Sequence, residues 1–447
     1  MKLNILKLSL LARPRTHEGA PAVPIAPAAA LRRSILACML WENEFYESGQ
    51  TIAARIRELV PQVEPAIVAA LAVEARTAMK LRHAPLLLVR EMARYATHRA
   101  LVAETLMRVI QRADELAEFV AIYWADGRVP LSAQVKKGLA AAFTNFDEYA
   151  LAKYDRAGAV RLRDVLFLCH ARPRDAAQAE LWKRLVAGEL ATPDTWEVAL
   201  SSGGDKRAHW ERLLVEGRLG ALALLRNLRN MEAAGVSEEY VAAALETMRT
   251  DRVLPFRFLA AARHAPQWEP TLERAMFRSL EGREGQENDA RLAGRTVLLV
   301  DVSGSMVAPI SGRSTMLRTD AAYGLAVLLS EIAEKVSIYT FSDACIRIPP
   351  RRGFALRDAM ESSQRHGGTR LGLALDSVTE PYDRIIVITD EQSQDRVGPP
   401  RGRGYMINVA SNRNGVGYGP WTHIDGFSEA VIDYIRELER TKTNTQQ

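Results

Sequence analysis

Hydrophobic residues recur at helical spacing from about Leu31 to Leu280, with Pro, Gly or Asp at the breaks. The stretch "PQVEPAIVAALAVEARTAMK" (residues 61–80) predicts a helix with one face formed by Val63, Ile67, Ala70 and Leu71. Many helices of roughly 10 to 18 residues joined by short breaks predict a stack of antiparallel helix pairs, an α-solenoid. No strict period is present, so any repeats are degenerate.

The pattern changes after Gly294. Short β-rich runs at 296–300, 336–341, 384–390 and 404–410 alternate with helical stretches such as 319–335. This alternation predicts a parallel sheet with helices on both faces. The fold class is therefore multidomain, with an α-helical solenoid over residues 1–294 followed by a doubly wound α/β domain over residues 295–447.

Composition narrows the class of protein. With 447 residues, 48% hydrophobic and 25% charged, the chain is a globular protein of more than one domain. No apolar run reaches the ~20 residues of a membrane span, so we expect no membrane association. Three cysteines far apart argue against a disulfide framework and favour a reducing cytoplasm. From Arg295 onward the chain has 18 basic and 18 acidic residues, whereas 41 basic and 36 acidic residues precede Arg295. The surplus of positive charge therefore lies in the N-terminal part.

Small oxygen-bearing side chains follow the strand in "RTVLLVDVSGSM" (residues 295–306). Asp301, Ser303 and Ser305 stand at alternate positions, a pattern that serves equally as a helix cap or as a metal site. Thr369, just before a helix, and Asp390, at the end of the run 384–390, occupy the corresponding places in two further loops. Because ligands gather at the carboxyl ends of parallel strands, the five residues favour a site for Mg²⁺, or for Mn²⁺.

These five residues resemble the metal-ion-dependent adhesion site of von Willebrand factor A domains, and the resemblance extends from residue 295 to about 440. It implies a protein that binds rather than catalyses. The sequence also shows no nucleophile with a neighbouring base and no phosphate-binding glycine loop, so we expect no enzymatic activity.

The stretch "AKYDRAGAVRLRDVLFLCHARP" (residues 152–173) is rich in basic residues. If residues 161–170 are helical, Arg163, Phe167 and His170 lie on one face, beside an apolar face. Such a helix can pack through one stripe and present the other to RNA phosphates.

This stretch, together with "THEGAPA" (16–22), "LRRSILACMLWENEFYESG" (31–49) and "PLSAQVKKGLAAAF" (130–143), resembles the TROVE module of bacterial Ro proteins. The resemblance implies a monomeric ring of HEAT-like helix pairs. Such a ring binds small Y RNAs on its outer surface and single-stranded ends of misfolded RNAs in its hole. Lys153 and His170 match the family's RNA-contact positions, but Ala157 stands where the family has Arg, beside Arg156. Further RNA-binding candidates are Arg163, Lys136, Lys137, Arg76 and Lys80.

We therefore expect a non-catalytic RNA-binding ring that binds Y-like RNA and structured or misfolded RNA. By resemblance, it presents such RNA to polynucleotide phosphorylase or another exoribonuclease. The alternative is a protein-binding adaptor that recruits a partner through its metal site and has no RNA role. The basic stretch at 153–174 discriminates between the two, because an adaptor does not require it.

Overall fold

The structure is a computed structural model, and its residues form two compact units. It describes the chain except for residues 1–13, 37–48, 80, 156, 194–195, 197, 199–203, 251–252, 254, 282–290, 311–315, 411, 413, 427–430, 433–434, 436–437 and 440–447. The helical unit comprises residues 26–42 and 48–203. The sheet unit comprises residues 1–25, 43–47 and 204–447.

The helical unit is built from α-helices joined by short connections. They are α1 (Pro27–Leu36), α2 (Gly49–Leu59), α3 (Pro65–Thr77), α4 (His83–Arg94), α5 (Arg99–Val109), α6 (Asp114–Tyr123), α7 (Ala133–Phe143), α8 (Glu148–Tyr154), α9 (Leu162–Cys169) and α10 (Ala176–Ala187). Helix α3 packs on α4 and α5, α5 packs on α7, and α7 packs on α9. Their inner faces share one hydrophobic core.

Side-chain caps set where several of these helices begin. Ser132, Asp147 and Asp175 each accept a backbone hydrogen bond in the first turn of α7, α8 and α10. Short oxygen-bearing side chains satisfy N–H groups that have no partner within the helix.

The predicted face of the helix at 61–80 is wrong in part. Helix α3 begins at Pro65, and its buried residues are Val68, Leu71, Ala72 and Ala75. Ile67 is 48% exposed, and Ala70 is exposed too. Since Val63 precedes the helix in extended conformation, it does not set the helical phase.

Helices α5 and α7 approach closely at Gly138. A Cβ atom at Gly138 would lie 2.8 Å from the carbonyl oxygen of Ala103 and 3.0 Å from Cβ of Leu106. Only a residue without a side chain fits this crossing without moving one helix away from the other.

An ion-pair network joins α4 to the turn after α6. Arg90, whose side chain is 2% exposed, donates to Asp126 across 2.6 Å, and Arg94 donates to the same carboxylate. Hydrogen bonds from Arg90 and then Arg94 lower the pKa of Asp126 to about 2.

In the longest segment of the sheet unit, helices come first and a six-stranded sheet follows. The helices are α11 (Lys206–Val215), α12 (Ala221–Ala233), α13 (Glu238–Thr247), α14 (Pro255–His264) and α15 (Glu269–Glu281). The strands are β1 (Leu292–Asp301), β2 (Ala333–Phe341), β3 (Cys345–Arg347), β4 (Arg384–Thr389), β5 (Arg403–Asn408) and β6 (Thr422–Asp425). Helices α16 (Arg318–Ile332), α17 (Gly353–Glu361) and α18 (Leu371–Ser377) lie between strands.

The strand order is β3-β2-β1-β4-β5-β6, and every pair is parallel except the edge pair β2–β3. This order reverses between β1 and β4, which makes a crevice at their carboxyl ends, where open α/β sheets bind ligands. The predicted succession of a helical region and a doubly wound α/β sheet is confirmed. The predicted helix at 319–335 runs too far, because Ala333 already begins β2.

The proposed domain boundary at residue 294 stays a prediction. The change from helices to strands falls between Glu281 and Leu292, whereas the two compact units divide near Gly204. The segment 14–25 also belongs to the sheet unit.

We predict that Gly138→Ala destabilises the protein, although alanine favours helices by about 1 kcal/mol over glycine. The added methyl group meets backbone at 2.8 Å, and such overpacking costs about 1–3 kcal/mol. Urea unfolding followed by circular dichroism measures the change, with Gly158→Ala as the control, since its nearest new neighbour is at 3.7 Å. A more stable Gly138→Ala variant would contradict the close crossing.

We predict that Asp126→Asn lowers the melting temperature at pH 7, by an amount that shrinks as the pH falls from 4 towards 2. The folded pKa of Asp126 lies below its ordinary value, so its stabilisation is present above about pH 4 and is lost through about pH 2. Because the side chain is 46% exposed, we expect only about 1 kcal/mol at pH 7.

The control is Glu104→Gln, whose partner Arg108 is exposed and 3.9 Å away. Melting curves of wild type and both variants at pH 7, 4 and 3 make the comparison. A difference for Asp126→Asn that is independent of pH would contradict the ion-pair account.

Candidate metal centre and nucleic-acid interface

Three loops at the carboxyl ends of β1 and β4 bring the predicted metal ligands together. The Gly304 amide donates to the carbonyl of Gly367 across 2.9 Å, which joins the loop of Ser303 and Ser305 to the loop of Thr369. The Gln394 amide donates to the carbonyl of Thr369 across 2.8 Å, which joins the loop of Asp390 to the same place.

Short contacts surround Asp301 and the two serines of the first loop. The hydroxyl groups of Ser303 and Ser305 lie 3.4 Å apart, and the Ser303 amide donates to Asp301 Oδ1 across 2.9 Å. Thr389 donates its hydroxyl proton to Asp301 Oδ2 across 2.6 Å. Asp301, Ser303 and Asp390 are fully buried, Thr369 is 3% exposed, and Ser305 is half-buried.

Two carboxyl groups are buried at one place in this crevice, those of Asp301 and Asp390. Burial, and then the nearby charge of Asp390, raise the pKa of Asp301 to about 7. An isolated carboxylate in the interior is costly unless a positive charge offsets it. The site therefore favours a cation beside Asp301 and Asp390.

The donor set fits a hard divalent cation. Carboxylate and hydroxyl oxygens suit Mg²⁺ or Mn²⁺ better than softer metals. Among the described residues, no three or more His, Cys, Asp or Glu side chains are grouped to hold a metal ion. A cation here would consequently depend on hydroxyl groups as well as on the two carboxylates.

The sequence did not reveal Arg318 as part of this site. At the first position of α16, Arg318 is 2% exposed and donates to the carbonyl of Ser305 across 3.2 Å. Its guanidinium lies 3.9 Å from Asp390 Oδ2. No local motif marks an arginine that is distant in sequence from both loops.

A second feature missed from the sequence is a buried network behind Asp390. Glu391, with φ of 62°, accepts hydrogen bonds from the Gly417 amide across 3.0 Å and pairs with His423. On its other side, His423 lies 3.4 Å from Asp425. The Glu391 amide donates to Thr389 Oγ1 across 3.0 Å, so the network reaches Asp301 through one hydroxyl group.

The N-terminal segment packs against the same loop. Thr16 donates its hydroxyl proton to the carbonyl of Ser393 across 2.8 Å, and the His17 amide donates to Gln392 Oε1 across 2.7 Å. These bonds help fix the loop that carries Asp390.

The predicted RNA face of α9 lies on the surface of the helical unit. Arg163, Phe167 and His170 are all exposed, and Phe167 is 62% exposed. The opposite face is buried and consists of Leu162, Val165, Leu166 and Cys169. The helix therefore has the two faces that its sequence predicts.

Acidic residues around this face are already engaged. Four of the five acidic residues between 147 and 175 are taken up by helix caps or by an arginine, namely Asp147, Glu148, Asp164 and Asp175. Among the described residues, none forms an ion pair with Arg163 or His170. The face consequently keeps its positive charge.

Other predicted RNA residues lie in different surroundings. Lys153 is half-buried over the rings of Tyr149 and Tyr154, at 5.8 and 5.7 Å, and Lys136 and Lys137 lie half-buried and exposed on α7. Arg76 is largely buried and pairs with Glu115 across 2.8 Å, which favours a packing role. Arg156 and Lys80 lie outside the described residues.

Comparison with known proteins agrees with this arrangement. The TROVE domain model matches residues 33–188 and 174–288, more than half of the chain. The chain belongs to the TROVE domain family. The predicted resemblance to Ro proteins is therefore confirmed at the level of the family, and this supports RNA binding.

The chain is also similar to individual proteins and to one solved structure. Telomerase protein component 1 of Mus musculus is 37% identical over 89 residues, and that of Rattus norvegicus is 36% identical over 89 residues; each match covers 18% of this chain. The chain spans only 3% of the length of these curated relatives. The crystal structure of the Deinococcus radiodurans RO (RSR) protein matches with a TM-score of 0.59 at 19% identity, over 92% of this chain and 99% of that one. This match shows the fold.

Within the described part of the chain, no helix has both the length and the apolar character needed to cross a membrane.

Proposed function

We propose that the chain is a non-catalytic RNA-binding protein that holds a small Y-like RNA on the exposed face of α9. The observation that carries this proposal is the separation of α9 into a buried apolar face and an exposed face with Arg163, Phe167 and His170. Arginine and histidine attract backbone phosphates without reading their sequence. Lys153 on α8 and Lys137 on α7 extend the positive surface in the same unit.

By resemblance to Ro proteins, we further propose that the chain is a monomeric ring whose hole accepts single-stranded ends of structured or misfolded RNA. On the same basis, it hands such RNA to an exoribonuclease, for instance polynucleotide phosphorylase. A cytoplasmic location fits both roles.

We propose in addition that Asp301, Ser303, Ser305, Thr369 and Asp390 bind a divalent cation, Mg²⁺ or Mn²⁺. The cation would supply positive charge for a carboxylate or phosphate of a partner. Two fully buried carboxyl groups, one of which accepts hydrogen bonds from the Ser303 amide and the Thr389 hydroxyl, support this part of the proposal. It also keeps open the alternative function, a metal-dependent protein adaptor.

We predict that replacing Lys153, Arg163 and His170 together with Ala weakens RNA binding and flattens its salt dependence. Each lost phosphate contact reduces the slope of log affinity against log salt by about 0.7 to 0.9. Binding of a hairpin RNA with a single-stranded 3′ tail, titrated over salt with and without EDTA, measures both quantities.

A matched control replaces Lys183, Arg207 and Arg274 with Ala. These residues are already paired with Glu180, Glu211 and Glu246, so an equal number of basic residues is removed from paired positions. An equal loss of RNA affinity in both triple variants would contradict a defined RNA-binding surface on α9. Absence of RNA binding by the wild-type protein at low salt, with or without EDTA, would favour the adaptor.

We predict that Asp301→Asn removes stabilisation by Mg²⁺ without lowering the stability of the metal-free protein. Asparagine preserves the bond from the Ser303 amide and can donate to Thr389 Oγ1, while it removes one buried charge. At a Mg²⁺ concentration a hundred times its dissociation constant, the free energy of unfolding of the wild-type protein should rise by about 2.7 kcal/mol.

Thermal unfolding over a Mg²⁺ titration measures this difference. Asp343→Asn is the control, because Asp343 is exposed beside the loop of Gly367 and should keep the response. Wild-type protein whose unfolding is insensitive to millimolar Mg²⁺ and Mn²⁺ would refute the metal site.

A further inference from the structure

Phe167 is an exposed aromatic residue that the packing of α9 does not use. Its side chain is 62% exposed, whereas Leu162, Val165, Leu166 and Cys169 are between 0% and 8% exposed and complete the inner face. Because a phenylalanine side chain has no polar atom, its exposure to water is unfavourable, and a large exposed ring at this position indicates a binding surface.

An arginine and a histidine flank Phe167 along the chain. Arg163 precedes it by four residues, the spacing of side chains that adjoin on a helix, and His170 follows it by three, one residue past the end of α9. Both are exposed, and among the described residues neither forms an ion pair.

The backbone at His170 adds a second observation. With φ of 53° and ψ of 43°, His170 ends α9 in the left-handed conformation, and its amide donates to the carbonyl of Phe167 across 3.3 Å. Among the described residues, only His170 and Glu391 hold this sign of φ without being glycine. Glycine or asparagine usually ends a helix in this way, so a histidine at this position is unusual, and its side chain is exposed just past the end of α9.

We propose that the ring of Phe167 stacks on one unpaired nucleobase of the bound RNA. Arg163 and His170 contact the phosphates on either side of that nucleotide. Stacking suits any base, because every base has a π-face, and RNA-binding proteins commonly pair it with arginine. This inference rests on the proposed function and deepens it, because the ligand becomes an RNA with a bulged, looped or terminal unpaired nucleotide.

Charge favours RNA over an apolar protein segment as the occupant. Residues 131–174 contain eight Lys and Arg residues against four Asp and Glu residues, and three of those four acids are engaged in caps or with Arg184. A hydrophobic peptide would bury Phe167 but would leave Arg163 and His170 facing it without anionic partners.

The test compares Phe167→Ala, Phe167→Leu and Phe167→Trp, using a two-stranded RNA duplex with a single-stranded 3′ tail and the same duplex with blunt ends and no unpaired nucleotide. Phe167→Ala should bind the tailed RNA about fivefold to about a hundredfold more weakly, the range found for loss of one stacked base. Phe167→Leu keeps apolar area but has no π-face, so it should stay weak, and Phe167→Trp should restore binding.

Three further measurements separate stacking from other roles. The salt slope should be unchanged in all three variants, because none removes a charge. The melting temperature should be unchanged, because the side chain is 62% exposed. The fluorescence of the new tryptophan in Phe167→Trp, seen as the difference from the wild type with its seven tryptophans, should be quenched by tailed RNA.

The outcomes distinguish this inference from the function on which it rests. Wild-type affinity in Phe167→Ala, together with weakened binding in the Lys153, Arg163 and His170 variant, would overturn stacking and leave the RNA surface in place. Equal loss on tailed and blunt RNA would also overturn stacking. Absence of RNA binding by the wild-type protein at low salt would overturn both.

Discussion

Two carboxylates removed from water at the ends of neighbouring strands impose the main constraint on the sheet unit. The parallel pairing of β1 with β4 brings their carboxyl ends to one edge, where Asp301 is the last residue of β1 and Asp390 directly follows β4. Each negative charge needs compensation there, because burial of an unpaired charge is unfavourable. Thr389, the Ser303 amide and the guanidinium of Arg318 provide it within the chain. The loops therefore close around the crevice rather than spreading into solvent.

The helical unit meets the opposite requirement at α9. There the inner face is apolar and complete, and positive charge stays on the outside because nearby acids serve as caps or pair with arginine. An Asp at the start of a helix satisfies backbone N–H groups, so it contributes to folding while remaining local to its own helix. The same residues that begin the helices thus leave the exposed face cationic, which is the condition for sequence-independent attraction of RNA.

The sequence was most informative where the pattern was long and regular. The four β-rich runs at 296–300, 336–341, 384–390 and 404–410 correspond to β1, β2, β4 and β5, while the short strands β3 and β6 were missed. Amphipathicity located both faces of α9, yet it misjudged Ile67 because a proline, and not the hydrophobic period, sets the start of α3. Arg318 and the pairing of Glu391 with His423 could not be predicted, since they depend on which distant loops the sheet brings together.

The two sites differ in the physics by which they would bind an anion. On α9 the charges are exposed, so their attraction acts over a Debye length of about 8 Å and weakens with salt. In the crevice of β1 and β4 the carboxyl groups are buried, so the proposed binding would depend on one cation and on fixed oxygen positions. Under the proposed function, salt would consequently weaken binding mainly at α9, and a chelator would affect only the crevice. An exposed phenylalanine between Arg163 and His170 adds a contact that neither treatment removes, because stacking depends on shape and on the exposed ring rather than on net charge.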